Sequence, residues 1–211
     1  DHNTIGPNNL IGTNVSGGGL NLGNNGDGLL IANGATSTDV LSNTFAYNQD
    51  NGVTITNTNY TRLGGNWIRY NTLDGVLVGG NSQNTIIGGP SLNNSLTGNV
   101  IGKNGDDGVE LQGSNVRYTL LAGNAIGVLP GAGQYDGNYR HGVRVNGAHN
   151  NAIGDTNALT NTIGGSFGMG VLLTNGASQN AVARNVIGLA TAPNNIDGVY
   201  LANGAHDNVI G

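Results

Sequence analysis

The 211 residues include 39 glycines and 36 asparagines, only 9% are charged, the formal net charge is −5, and there is no cysteine. Sparse charge leaves no basic patch to displace counterions from phosphates, which excludes nucleic acid as a partner. The missing cysteines exclude disulfides and thiolate metal sites, and apolar runs of only a few residues exclude a membrane-spanning segment.

In chain order, the first predicted strands are Asn-x-aliphatic steps, Asn3-Thr4-Ile5 and Asn9-Leu10-Ile11. A glycine phrase follows, Gly28-Leu29-Leu30-Ile31, and it then returns to the end of the chain. Its later copies begin at Gly52, Gly75, Gly108, Gly142, Gly170 and Gly198, in steps of 24, 23, 33, 34, 28 and 28 residues. Asp directly precedes the glycine in four of the seven copies. A recurrence of this period identifies a solenoid.

Between copies run two further phrases. One is Asn-Gly-Ala leading into Asn-x-aliphatic, as in Asn146-Gly147-Ala148 to Asn151-Ala152-Ile153. The other is Asn-x-aliphatic alone, at Asn43, Asn66, Asn99, Asn124, Asn161 and Asn185. Each period therefore holds three short runs of period two, which are strands. Asn and Gly separate them because both tolerate positive φ. The order of phrases never reverses, so each strand pairs in parallel with its copy one coil on. Longer coils carry their excess at 13–27, 127–141 and 188–197, and at 87–98 and 154–160. The expected fold is all-β: one domain over 1–211, a right-handed parallel β-helix of about seven coils, each of three short strands and 23–34 residues. Val53, Val76, Val109, Val143, Val171 and Val199 form one inner wall, Ile55, Val78, Leu111, Val145, Leu173 and Leu201 the next. The recurrent Asn side chains form amide ladders.

The Asn-x-Ile-Gly-Gly, Asp-Gly-Val-x-Leu and Asn-Gly-Ala phrases resemble right-handed parallel β-helix repeat proteins of the pectate-lyase-like class, over the whole chain. The resemblance implies fold but no single activity, since that class spans lyases, hydrolases, epimerases, tailspikes and structural surface proteins. Within it, Asn71-Thr72-Leu73-Asp74, Asp106-Asp107 and His141-Gly142 resemble elements of polygalacturonase-type glycosidases. That implies Asp74, Asp106 and Asp107 as acid/base carboxylates with His141 as a helper. Inverting hydrolysis needs two carboxylates about 6.5–9.5 Å apart, which neighbouring coils could offer. The pattern departs at Arg140, where the family has glycine, and no Arg-x-Lys follows. Asp74 and Asp107 also fill the repeat's ordinary Asp-Gly slot, so solvated turn carboxylates are the simpler reading of them.

Asp106, Asp107 and Glu110 form a candidate Ca²⁺ ligand set, although Glu110 should instead face Arg144 one coil on. The basic residues show no obvious cluster with carboxylates. His149 and His206 share a repeat slot and read as structural. Sequons place candidate glycosylation at Asn14, Asn59 and Asn93. The outward column of the glycine phrase puts Leu30, Leu77, Leu172 and Tyr200 on a solvent face, a candidate interface. Trp67, Phe45, Phe167 and the tyrosines share no single column that would line a sugar groove.

The chain opens with Asn3-Thr4-Ile5-Gly6 and closes with Asn208-Val209-Ile210-Gly211, the same phrase, with no initiator Met and no capping element, which makes Ile5 and Ile210 candidate interface residues. Open end coils would stack copy on copy into a filament. The expectation is thus a structural protein of the cell surface or extracellular space, a fibre, stalk or adhesin segment, without cofactor. The alternative is a carbohydrate-active enzyme or polysaccharide-binding module.

Overall fold

A computed structural model describes residues 2–14, 22–89, 98–131, 134–154 and 159–211. Among them there is no helix. Three parallel sheets of eight, seven and seven strands wind into a right-handed parallel β-helix. Sheet A starts at Asn3–Ile5 and ends at Val209–Ile210, and sheet B runs from Leu10–Ile11 to Val186–Ile187. Sheet C is the glycine phrase, from Leu29–Ala32 to Val199–Leu201. Strands follow the order A, B, C in every coil, so each sheet consists of every third strand of the chain.

Register follows the repeat. Ile31, Ile55, Val78, Leu111, Val145, Leu173 and Leu201 lie in one line across sheet C. The central members of this row and of the neighbouring valine row are fully buried, and with Phe45, Ile68, Ile101 and Ile126 of sheet B they fill the core. Burying each such side chain is worth about 1.5–3 kcal/mol.

The glycines have a steric cause. A Cβ placed on Gly28, Gly52, Gly75, Gly108, Gly142 or Gly170 would stand 2.6–2.7 Å from the carbonyl oxygen of the next coil's glycine. None of these six has positive φ. The strand enters the sheet so close to its neighbour that only hydrogen fits.

Asparagine ladders hold the corners. Between sheets A and B, amide bonds run Asn9, Asn43, Asn66, Asn99, Asn124, Asn161, Asn185. A second ladder beyond sheet B runs Asn24, Asn48, Asn71, Asn104, Asn138. A third, before sheet A, joins Asn151, Asn180 and Asn208. An amide both donates and accepts, so identical residues on parallel coils satisfy one another. Asn71 therefore belongs to a structural ladder, which removes one motif residue from the glycosidase resemblance. Corner residues in the left-handed region include Asn33, Asn57, Asn175 and Asn203 as expected, but also Tyr47, Tyr60, Tyr70 and Tyr118.

Candidate functional site at the corner between sheets B and C

The residue preceding each glycine phrase occupies one line along the rod. Its side chain accepts a hydrogen bond from the backbone N–H at the same slot one coil on. Asn51 donates to Asp27, Asp74 to Asn51, Asp107 to Asp74 and His141 to Asp107, at 2.9–3.0 Å. Met169 N–H then donates to His141 Nδ1 at 3.0 Å. The ring is thereby unprotonated at Nδ1, and burial first, then Arg140 and Arg144, lowers the His141 pKa to about 4.

Asp74, Asp106 and Asp107 come together as the sequence suggested, with one oxygen of each within 4.8 Å of the others. Asp74 and Asp107 are buried, contrary to the reading of solvated turn acids, because the ladder draws them against the next coil. Burial, followed by the charges of Asp107 and Glu110, pushes the Asp74 carboxyl up to about 8. Burial also raises Asp107, to about 6, with Arg144 opposing.

The basic residues do cluster here, which the sequence did not reveal. Arg144 Nε lies 2.7 Å from Asp107 Oδ2, a close ion pair outside hydrogen-bond geometry, while its Nη2 donates to Glu110 Oε2 at 2.7 Å. Asn146 donates to the other Glu110 oxygen at 2.8 Å, and Glu110 is buried. Glu110 is thus an arginine partner and stands outside the carboxylate trio that could hold a hard cation. Arg140 Nη1 grips both Asp106 oxygens at 3.0 and 3.2 Å, and its side chain is 48% exposed. The solvent-facing groups of the cluster are therefore Asp106 and Arg140, with Asp74 and Asp107 behind them.

Other expected sites fare differently. The outward column of sheet C is not one exposed apolar face: Leu30 and Tyr200 are exposed near its ends, Leu77 and Leu172 are half-buried, and Thr54 and Glu110 are buried. Ile5 is half-buried and Ile210 exposed, in the first and last strands of sheet A. His149 and His206 flank Ser178 in one line of bridges, as their shared slot implied. Asn59 is half-buried and accepts from Gln83 N–H, Asn14 is half-buried, and Asn93 lies outside the described residues. The aromatics do share positions: Tyr47 and Tyr70 stack in register at 5.0 Å, and Tyr139 stacks on Phe167 at 5.3 Å. Each pair shares one offset from the glycine phrase, five residues before Gly52 and Gly75 and three before Gly142 and Gly170.

The raised carboxyls make a pH prediction. A folded pKa above the unfolded value of 3.8 means that the native state holds more protons than the unfolded chain. Stability from Asp74 and Asp107 is fully present below about pH 4 and is lost as pH rises through about 6 and then 8. Asp74→Asn should flatten this fall and stabilise the protein by more than about 1 kcal/mol at pH 8, since Asn51 already fills the same slot one coil earlier. Urea unfolding of both proteins between pH 5 and 8 measures it.

No protein-family model matches the chain, and no curated protein matches it by sequence. Solved structures do. The A-module of the mannuronan C-5 epimerase AlgE6 from Azotobacter vinelandii is 22% identical with a TM-score of 0.53, over 89% of this chain and 48% of that one. The periplasmic alginate epimerase AlgG is 18% identical with a TM-score of 0.55, over 88% of this chain and 42% of that one. The chain thus spans less than half the length of either. At these identities the likeness establishes the parallel β-helix fold.

Proposed function

We propose that the chain is a carbohydrate-active β-helix that engages an acidic polysaccharide at the corner between sheets B and C. The carrying observation is the convergence of Asp74, Asp106 and Asp107 with Arg140, Arg144 and His141 from successive coils. Acid–base work near neutrality calls for carboxyls whose pKa values lie well above the ordinary range, and Asp74 and Asp107 meet that requirement. The exposed Arg140 fork suits the carboxylate of a sugar acid. Both structural neighbours act on such polymers by their names, and one is periplasmic, which supports a secreted or periplasmic setting.

In this reading Asp106, the solvent-facing acid of the trio, moves the proton at the carbon bearing the carboxylate, Arg140 seats that carboxylate, and Asp74 and Asp107 behind them exchange the second proton. The test is incubation with polymannuronate in D₂O, following deuterium at C-5 by NMR and unsaturated products by absorbance. Asp106→Asn should lower exchange by about 100-fold or more. No exchange and no polymer binding by the unaltered protein would reject the reading.

A further inference from the structure

Sheet B carries a second feature, on a different face from the charged corner. Thr44, Trp67, Val100, Ala125 and Thr162 stand in register on five successive coils; Trp67 is exposed, Thr44, Ala125 and Thr162 are half-buried, and Val100 between them is buried. Four spacings of about 4.8 Å make this a floor roughly 19 Å long, parallel to the rod axis. Along one side it is walled by two chain excursions that leave sheet B. One is closed by the antiparallel bridge Val128–Tyr135 and the other by Leu189–Ala192. Over the floor lie a cleft of about 610 Å³, bordered by Leu129, Pro130 and Leu189, and a neighbouring one of about 210 Å³ beside Trp67, Tyr47 and Tyr70.

Charge distinguishes this groove from the corner. Among the described residues, no charged side chain lines the larger cleft. The smaller has only Arg69, which is already neutralised by the buried Asp136 and packs over the rings of Trp67 and Tyr70. What remains is threonine hydroxyls, backbone, aliphatic walls and an indole that is 44% exposed.

A polypeptide occupant fits poorly. Peptides usually join a sheet along a free edge, whereas the groove lies on the face of a sheet whose strands are hydrogen-bonded on both sides through its middle. A peptide laid across that face would bury unpaired N–H and C=O groups. A sugar chain is amphipathic ring by ring: its C–H faces suit the indole and aliphatic walls, and its hydroxyls suit the threonines. An anionic sugar would find no counter-charge.

We propose that the outer face of sheet B is a binding groove for an extended, uncharged polysaccharide, with Trp67 as its aromatic platform. This goes beyond the function proposed for the charged corner and is separable from it.

Trp67 is the sole tryptophan of the chain, so its emission reports this groove directly. The protein is titrated with cellohexaose and mannohexaose as neutral probes and with oligomannuronate as the anionic one. A saturable change in emission with a neutral hexasaccharide, absent with the anionic oligomer, is expected. Calorimetry should show at least tenfold weaker binding for Trp67→Ala, and again for Ala125→Arg, which puts a long charged side chain on the floor. Circular dichroism confirms that each variant is folded. C-5 exchange on polymannuronate should be unchanged in Ala125→Arg, so that failure of one reading is distinguishable from failure of the other. Emission indifferent to both neutral probes, an equal response to the anionic oligomer, or emission that depends on protein concentration alone because a second copy covers the groove would each overturn the proposal.

Discussion

Asn104→Leu is expected to cost about 3–5 kcal/mol of stability, lowering the melting temperature by roughly 8–15 °C. The side chain is fully buried in the second ladder. Its oxygen accepts from Asn71 N–H and the Asn71 amide at 3.2 and 3.0 Å, and its nitrogen donates to Ile68 C=O and Asn138 Oδ1, both at 3.1 Å. Leucine is nearly isosteric and adds apolar surface. It nonetheless withdraws the partners of Asn71 N–H and Ile68 C=O inside the rod, where no solvent replaces them. Each orphaned group costs about 1–3 kcal/mol, which outweighs the transfer gain of the leucine. Calorimetric melting is the direct measurement. A loss under 1 kcal/mol would mean that the ladders contribute geometry without stability.

Gly108→Ala should be nearly as damaging, at about 3 kcal/mol. The added methyl would meet Gly142 O at 2.6 Å, Asn138 Nδ2 at 2.7 Å and Ile126 Cγ2 at 2.8 Å. Two of those atoms belong to the next coil's backbone and to a ladder amide, neither of which can rotate aside. The strands must separate locally, and the displacement spreads to the paired residues Val109 and Val143. Gly79→Ala is the matched control: it lies at the end of a sheet C strand, with nothing within 4 Å of its Cβ position and no positive φ. It should change stability by less than about 0.5 kcal/mol. Equal effects at the two glycines would show that chain entropy, not close approach, explains the repeat.

Much of the fold was legible in the sequence. Invariant phrase order requires parallel pairing of like with like, and alternation within each phrase names the inward residue. Val53, Ile55, Val76 and Val78 accordingly lie in the core. The Asn ladders between sheets A and B could also be read, because each Asn heads a recognisable strand. The ladder through Asn48, Asn71, Asn104 and Asn138 was missed although each stands four residues before a glycine phrase, because these residues lie in turns and head no strand. Tyr47 and Tyr70 likewise share one offset, five residues before Gly52 and Gly75, and their stacking was not read from it.

At the candidate site the sequence supplied residues without an environment. It brought Asp74, Asp106 and Asp107 to one corner, because each stands at a fixed distance from a glycine phrase. It also set Glu110 opposite Arg144, which do pair, but gave no indication that Asp74 and Asp107 are buried as acceptors in a backbone ladder, or that Arg144 reaches Asp107 as well. Periodicity along the chain determines which positions stack, because stacking repeats the local conformation coil after coil. Burial, charge pairing and the groove on sheet B depend on what the irregular segments do between repeats, and a repeat pattern carries no information about the segments that interrupt it. The solenoid was therefore written in the sequence, while its chemistry was decided only where neighbouring coils close over one another.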